Sequence, residues 1–313
     1  MQQRQLGRSS LSIAPLVLGG NVFGWTADAA ASFAILDAFV DAGFNAVDTA
    51  DVYGAWAPAG FGASEAVLGA WFKASGKRDK VVLATKVGWR TESGELNAAH
   101  IENAVEASLK RLQTDYIDLY QAHKDDPATP QEETMAAFDK LVRAGKVRAI
   151  GSSNFTAERI RSANAIAAAT GAARFETEQP HYNLMERKVV EPALAELALS
   201  DGIGLIPYFG LAAGFLTGKY RSEADLAKSP RGVRAKAYLN ARGLSVLGAL
   251  DMVAARHGAT PAQVALAWQM AKPFIAAPIA SATSVEQLIE ILASAALKLG
   301  DEDMAQLDQA SAF

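Results

Sequence analysis

Short β-rich runs alternate with segments of helical period along this chain, and the alternation constrains the fold more than any other feature. Eight such runs occur in the 313 residues. They end at Asn21, Ala50, Val87, His123, Asn154, Asn183, Tyr208 and Ser281. Between the third and fourth runs, apolar residues spaced by four, four and three positions are typical of an amphipathic helix. Strands that alternate with helices predict a mostly parallel sheet.

Eight β/α units favour a closed (β/α)8 TIM barrel over an open, doubly wound sheet. The open sheet typically carries a G-x-G-x-x-G motif directly after a strand. The segment Gly202-Ile203-Gly204 lacks the third glycine and precedes its strand. No linker divides the chain, so we expect one domain over residues 1–313. The long stretch from Tyr220 to Asn240 predicts an irregular surface insertion, which is often a lid or a binding loop.

The composition excludes several kinds of chemistry. The chain has no cysteine, which excludes a disulfide framework, a thiolate metal site and a cysteine nucleophile. Its four histidines show no metal-ligand spacing, so we predict no metal site. A net charge of −4 argues against a nucleic acid or an anionic membrane as partner. The N-terminus resembles no targeting signal and no apolar run reaches membrane-spanning length, so we expect a cytoplasmic protein that acts on a small molecule.

Polar side chains lie at the carboxyl ends of three adjacent predicted strands. Asp48 ends the second run, Lys86 the third and His123 the fourth, and Tyr53 follows Asp48 in the next loop. The active site of a (β/α)8 barrel lies at this face. Each of these residues alone is typical of a capping or surface position. Because a carboxylate, a phenol, an ammonium and an imidazole complement one another chemically, the four together predict an active site.

These residues stand in motifs that resemble those of the aldo-keto reductase family. DTADVYG carries Asp48 and Tyr53, ATKVG carries Lys86, and LYQAHKDD carries His123. The likeness continues through LGGNVFG, IGSSNF, EQPHYN, IPYFGLAAGFLTGKY and SATSVEQL. The resemblance implies a (β/α)8 barrel, in agreement with the count of strands. It also implies an NAD(P)H-dependent oxidoreductase that interconverts an aldehyde or ketone and the corresponding alcohol by hydride transfer.

Chemical reasoning leads to the same roles that the resemblance implies. Tyr53 is expected to be the general acid/base, and His123 is expected to orient the carbonyl. A phenol has a pKa near 10, which is too high for efficient proton transfer at neutral pH. A cationic Lys86 beside Tyr53 should lower that pKa, while Asp48 keeps the ammonium charged and in place.

The resemblance also implies where a nicotinamide cofactor binds. Residues that match the family's carboxamide, ring, diphosphate and adenosine contacts are Ser153, Asn154, Gln179, Tyr208, Phe209, Gly210, Leu211, Gly218, Lys219, Ser281, Thr283 and Gln287. The amides and hydroxyls suit a carboxamide, and the aromatic ring of Tyr208 suits stacking. A helix cap at Ser153-Asn154 and a core position for Tyr208 are the structural alternatives.

The chain departs from the family where the adenosine phosphate is bound. Thr283 stands about where many members have Arg or Lys for the 2′-phosphate of NADP. We therefore expect NADPH as cofactor, with NADH as the open alternative. Trp25, Trp56 and Trp89 follow the first three strands and predict an apolar substrate wall, although core packing suits Trp89 equally well.

Two other functions remain as alternatives on the same fold. One is a non-catalytic nicotinamide-binding accessory or sensor subunit, which the presence of Asp48, Tyr53, Lys86 and His123 together disfavours. The other is a metal-dependent hydrolase, which the histidine spacing disfavours. The sequence leaves the substrate, the physiological direction and the oligomeric state open.

Overall fold

Strands and helices alternate in the computed structural model, which describes residues 2–58, 60–90, 92–229 and 232–313. The strands are β1 (Arg4–Gln5), β2 (Ser12–Ile13), β3 (Val17–Gly19), β4 (Ala46–Asp48), β5 (Val82–Val87), β6 (Ile117–Ala122), β7 (Val147–Ser153), β8 (Phe175–Gln179), β9 (Gly204–Leu205) and β10 (Ile279–Ala280). The α-helices are α1 (Ala29–Asp41), α2 (Ala63–Ser75), α3 (Ala98–Leu112), α4 (Gln131–Arg143), α5 (Ala157–Thr170), α6 (Ala193–Asp201), α7 (Gly232–Ala235), α8 (Ala241–His257), α9 (Pro261–Ala271), α10 (Val285–Leu292) and α11 (Asp301–Ala310). Within these described ranges, no helix has both the length and the apolar character needed to cross a membrane.

Each of the eight β-rich runs contributes one strand to a single parallel sheet. The strand order is β10-β3-β4-β5-β6-β7-β8-β9. The two edges of this sheet are also joined, because Leu205 forms a parallel bridge with Ile275. The amide of Ala276 donates to the carbonyl of Leu205 at 2.8 Å, and the amide of Ile279 donates to the carbonyl of Pro207 at 2.8 Å. The sheet therefore closes on itself, and the predicted (β/α)8 barrel is confirmed.

Side chains alternate between the inside of the barrel and the layer of helices around it. On β6, Leu119 belongs to the inner cluster and Tyr120 to the outer one. The inner cluster takes apolar residues from β3 to β7, from β10 and from positions near β9 and β10, but none from β8: Val17, Ala46, Ala84, Leu119, Ala149, Ile206, Ala277 and Ile279. Because both faces of the barrel strands are covered, β3 is buried throughout, and even the polar side chains of β6 and most of those on β8 are buried.

An N-terminal hairpin, which the sequence analysis did not predict, closes one end of the barrel. Strands β1 and β2 pair in antiparallel fashion. Leu6, Leu11 and Ile13 are buried and join the inner cluster. The guanidinium of Arg4 donates to the carbonyls of residues 270, 275 and 276 over 2.8–3.1 Å. This apolar plug lies at the amino ends of the strands, so polar side chains inside the barrel gather at the opposite mouth.

The stretch from Tyr220 to Asn240 was expected to be irregular, and that prediction is wrong for its described residues. Two 3-10 helices, 223–228 and 236–238, flank α7. Arg221 pairs with Asp251 of α8 at 2.7 Å. The salt bridge of Arg221 therefore anchors these short helical turns to α8. Charged residues of both signs in one stretch are also typical of a loop. Pro230 and Arg231 lie outside the described residues.

We expect Ile13→Ala to destabilise the protein by about 2–5 kcal/mol, because it leaves a cavity among fully buried side chains. Urea unfolding measures the loss. Ser12→Ala, on the exposed side of the same strand, should change the free energy of unfolding by less than about 0.5 kcal/mol. A loss below about 1 kcal/mol for Ile13→Ala would show that the plug lies outside the cooperative core.

Candidate active site

The four polar residues predicted from the strand ends lie together at the mouth of the barrel. Asp48 is the last residue of β4, Lys86 lies one residue before the end of β5, and His123 follows β6 directly. The exposed fractions of these three residues are only 1%, 0% and 4%. Tyr53 lies in the turn after β4 and is half-buried. Parallel strands deliver their carboxyl ends to the same face of the barrel, which is why the residues meet.

Lys86 is the centre of this cluster. Its ammonium donates to Asp48 Oδ2 at 2.7 Å, to the carbonyl of Thr49 at 2.8 Å and to the Tyr53 hydroxyl at 3.1 Å. An ammonium has three donors, so these contacts use all of them. Burial lowers the pKa of Lys86, and the Asp48 carboxylate opposes that shift. The salt bridge to Asp48 therefore keeps a cation in a site from which water is excluded.

The phenol of Tyr53 is shifted in the direction opposite to the one predicted. Burial, and then the charge of Asp48, raise the pKa of Tyr53 well above its usual value. The expectation that Lys86 would lower this pKa considered one neighbour alone, and it is wrong. The ammonium is already paired with Asp48, whose negative charge and the buried setting both disfavour the phenolate. Tyr53 consequently holds its proton at neutral pH.

His123 is held as a neutral imidazole. Burial, and then the charges of Lys86 and Lys124, keep the pKa of His123 well below its usual range. Its Nδ1 is buried without a hydrogen-bond partner among the described residues. The ring lies 6.1 Å from the Tyr53 ring between centroids, with an interplanar angle of 74°. A neutral imidazole offers one N–H donor, so His123 and Tyr53 can both donate to one oxygen atom.

Two of the predicted cofactor residues, Gln179 and Ser153, are linked to this cluster by hydrogen bonds. Gln179 donates from Nε2 to Asp48 Oδ1 at 2.8 Å, so both oxygens of Asp48 accept a hydrogen bond. Ser153 donates from its hydroxyl to the carbonyl of Gln179 at 2.8 Å. The structure thus brings the predicted catalytic side and the predicted cofactor side into one network, which extends from β4 and β5 to β7 and β8.

Asn154 joins three parts of the mouth. Its Nδ2 donates to the carbonyl of His123 and to the Ser153 hydroxyl, at 3.0 Å in each case. The hydroxyl of Tyr208 donates to Asn154 Oδ1 at 2.8 Å. One face of the Tyr208 ring stacks on His181, with centroids 5.1 Å apart and an interplanar angle of 14°. Tyr208 is half-buried, so the alternative of a core aromatic does not describe it.

The predicted diphosphate loop has an unusual backbone. Phe209, Ala212 and Ala213 adopt positive φ angles of 55°, 48° and 55°, as do the glycines at 214 and 218. Non-glycine residues rarely adopt this conformation, which costs free energy and clusters at ligand-binding segments. Turns in which successive backbone N–H groups converge make concavities that suit anions. Phe209, Gly210, Leu211, Gly218 and Lys219 all lie in this segment.

The last predicted cofactor segment lies at the start of α10. Ser281 donates from its hydroxyl to Asn21 Oδ1 at 2.7 Å. Thr283 donates from its amide and its hydroxyl to Gln287 Oε1, at 3.0 Å in each case. Glu286 adds a negative charge to the first turn of the helix. The hydroxyl of Thr283 is therefore engaged within the segment, and no cation stands at that position.

The three tryptophans predicted as a substrate wall lie around the tetrad, which is the set Asp48, Tyr53, Lys86 and His123. Trp56 packs on Trp25 and on Tyr53, with ring centroids 5.9 Å apart in each pair. The ring of Trp89 lies 4.6 Å from the ring of His123. The exposed fractions of Trp56 and Trp89 are 47% and 43%. Core packing of Trp89, the alternative considered from the sequence, does not describe such an exposed ring.

Some neighbours of the site were not singled out from the sequence. Asp51 lies in the same turn as Tyr53, and burial followed by the charge of Glu65 raises the pKa of Asp51 to about 7. Glu178 is a fully buried acid directly before Gln179. Asn21, just after β3, accepts a hydrogen bond from Ser281, just after the neighbouring strand β10. The only sequence signal for each was its position inside or beside a recognised motif.

Known proteins resemble this chain over most of its length. The uncharacterized oxidoreductase YrpG of Bacillus subtilis is 37% identical, over 98% of this chain and 95% of that protein. A Schizosaccharomyces pombe protein named aldo-keto reductase yakc, with NADP(+) in its name, is 33% identical over 90% of this chain and 82% of its own length. A probable voltage-gated potassium channel subunit beta of Oryza sativa subsp. japonica is 33% identical, over 93% of this chain and 90% of that protein. A family model described as the aldo/keto reductase family matches residues 15–312. The chain therefore belongs to the aldo/keto reductase family.

Proposed function

We propose that this protein is an NADPH-dependent carbonyl reductase, which interconverts an aldehyde or ketone and the corresponding alcohol. Membership of the family supports an oxidoreductase in general terms. One observation supports the specific activity most strongly: the buried ammonium of Lys86 contacts both Asp48 and the Tyr53 hydroxyl. The ring of His123 lies 6.1 Å from the Tyr53 ring between centroids. This arrangement suits proton transfer to a carbonyl oxygen.

Aldo-keto reductases use NAD(P)H, and the residues at the mouth fit such a cofactor. Gln179 uses its Nε2 for Asp48, which leaves Oε1 to accept from a carboxamide. The Ser153 hydroxyl and the Asn154 amide lie next to it. Tyr208 would stack on the nicotinamide ring, and the loop with positive φ angles would hold the diphosphate. When bound, the cofactor supplies a hydride to the carbonyl carbon.

The side chains of the tetrad account for the proton. As negative charge develops on the carbonyl oxygen, Tyr53 donates its proton to that oxygen and becomes a phenolate. The ammonium of Lys86, 3.1 Å away, would stabilise the phenolate as it forms. His123 donates a second hydrogen bond that orients the carbonyl. In the reverse direction, the phenolate takes a proton from the alcohol.

The surroundings of the tetrad favour an apolar or aromatic carbonyl compound as substrate. Trp25, Trp56 and Trp89 line the approach to Tyr53 and His123. Aromatic walls bind apolar groups through buried area and stacking. The family acts on small molecules, and we propose a cytoplasmic enzyme without a nucleic-acid or membrane partner.

A non-catalytic nicotinamide-binding subunit is the second candidate. The rice relative named as a channel beta subunit is the observation in its favour. Such a protein would bind the cofactor and complete at most one turnover. Loss of absorbance from many equivalents of NADPH, with a panel of aldehydes, would exclude this candidate.

We predict that Tyr53→Phe lowers kcat by about 100-fold to 10,000-fold, since general acid catalysis contributes about that much. The affinity for the cofactor should stay nearly unchanged, because the proposed stacking and diphosphate contacts are retained. Steady-state kinetics and cofactor titration measure both quantities. Tyr116→Phe is the matched control, because that ring lies between Arg78 and Arg148, away from the mouth. A Tyr53→Phe variant with more than about a tenth of wild-type kcat would contradict the assignment.

We predict a preference for NADPH over NADH of about 10-fold to 100-fold in the wild type, since hydroxyl and backbone donors contribute less than a cation. Thr283→Arg should tighten NADPH binding about tenfold and make it more sensitive to salt. Tryptophan fluorescence gives the dissociation constants at two salt concentrations.

Thr170→Arg adds the same charge at the exposed end of α5 and should leave both constants unchanged. Tighter binding of NADH by the wild type would refute the cofactor assignment. A Thr283→Arg variant without any gain for NADPH would show that this position does not face the 2′-phosphate.

A further inference from the structure

Glu178 is an acid buried directly behind the proposed cofactor site. Its exposed fraction is 0%. Side chains alternate along β8, so Gln179 faces the mouth while Glu178 faces the layer of helices. A buried carboxyl group depends on its hydrogen bonds for stability. The partners of Glu178 therefore indicate what it holds in place.

These partners belong to a single turn. Ser152 donates from its hydroxyl to Glu178 Oε2 at 2.5 Å, and the amide of Phe155 donates to Oε1 at 3.2 Å. The amide of Asn154 donates to the carbonyl of Gln179 at 3.3 Å. The carboxyl group of Glu178 thus contacts both ends of the turn 152–155, at the point where the chain leaves β7 and approaches α5.

The turn needs such support because of Asn154. This residue has a φ of 59°, a left-handed conformation that costs free energy for a residue other than glycine. In that conformation its side chain reaches His123, Ser153 and Tyr208 at once. If the turn relaxed, the Ser153 and Asn154 side chains would leave the positions that face a nicotinamide carboxamide.

The protonation state of Glu178 suits this task. Burial raises the pKa of Glu178 to about 8, although the hydrogen bonds from Ser152 and Phe155 oppose the rise, and no charged side chain contributes to the shift. At neutral pH the carboxyl group is mostly protonated, so it can remain in a buried site while its oxygens accept from Ser152 and Phe155. The Ser152 hydroxyl also lies 3.3 Å from the carbonyl of Thr177, the longer of its two contacts. Tyr208 is a titratable group near Glu178: burial raises the pKa of Tyr208, and a negative charge on Glu178 raises it further.

We propose that Glu178 is a positioning residue, whose carboxyl group holds the turn 152–155 so that Ser153 and Asn154 meet the nicotinamide carboxamide. This inference rests on the proposed function, since it assumes that a nicotinamide cofactor binds at the mouth. Glu178 touches neither the carbonyl substrate nor Tyr53. Its removal should therefore weaken cofactor binding more than it slows the chemical step.

The test compares Glu178→Ala, Glu178→Gln and Glu176→Ala in the full chain. The control residue Glu176 lies on the same strand and accepts from the amide of Arg8 at 2.7 Å, near the N-terminal plug. Fluorescence titration gives the NADPH dissociation constant, and kcat is measured at saturating NADPH. For Glu178→Ala we expect a dissociation constant raised about tenfold and a kcat within about threefold of wild type. Glu178→Gln retains one acceptor and one donor, so its constant should stay within about twofold at pH 7.

Equal dissociation constants for Glu178→Ala and wild type would overturn this inference, as would an equal loss of affinity in Glu176→Ala. A wild-type protein that binds neither NADPH nor NADH would instead overturn the proposed function. The two failures are therefore distinguishable.

The pH dependence of Glu178→Gln gives a second test if the alanine variant does not fold. Above pH of about 8 the wild-type carboxyl group ionises in a buried site. A buried carboxylate is costly and should loosen the turn, so the wild-type dissociation constant should rise between pH 7 and pH 9. Glu178→Gln cannot ionise, and its constant should change less over that range. Parallel curves for the two proteins would overturn the inference.

Discussion

The buried salt bridge between Lys86 and Asp48 is the interaction on which the mouth of the barrel depends. Removing two charges from water is costly, and the pair persists only if their other hydrogen-bonding groups are satisfied. Lys86 uses its remaining donors for Thr49 and Tyr53, and Asp48 uses its second oxygen for Gln179. One pair of charges therefore fixes the phenol on one side and the first proposed cofactor residue on the other.

Two other parts of the fold support this polar mouth of the barrel. The N-terminal hairpin fills the opposite end of the barrel with apolar side chains, so the polar groups inside the barrel gather at one face. Strained backbone occurs at Asn154 and in the loop after β9, where cofactor contacts are proposed. Such conformations persist only when surrounding contacts determine them. At Asn154, those contacts are the hydrogen bonds of Tyr208 and the turn held by Glu178.

The sequence was sufficient for features that depend on local pattern. Alternation of strands and helices predicted the barrel, and the strand ends predicted that Asp48, Lys86 and His123 would meet. It was not sufficient for features that depend on distant neighbours. The bond between Gln179 and Asp48 joins residues 131 positions apart, and the raised pKa of Tyr53 arises from burial that no motif encodes. The bond between Thr283 and Gln287 is local, but it depends on side-chain conformation, which the sequence pattern does not specify.

Transfer of deuterium from cofactor to product tests the central claim most directly, because it reports whether this network performs a reduction. The protein would be incubated with an excess of an aromatic aldehyde and NADPH deuterated at the transferable position of the nicotinamide, and the alcohol would be analysed by mass spectrometry. We predict many equivalents of alcohol per protein, each carrying one deuterium on the former carbonyl carbon. Tight binding of the cofactor without any deuterated alcohol would contradict the account and would favour a non-catalytic nicotinamide-binding protein.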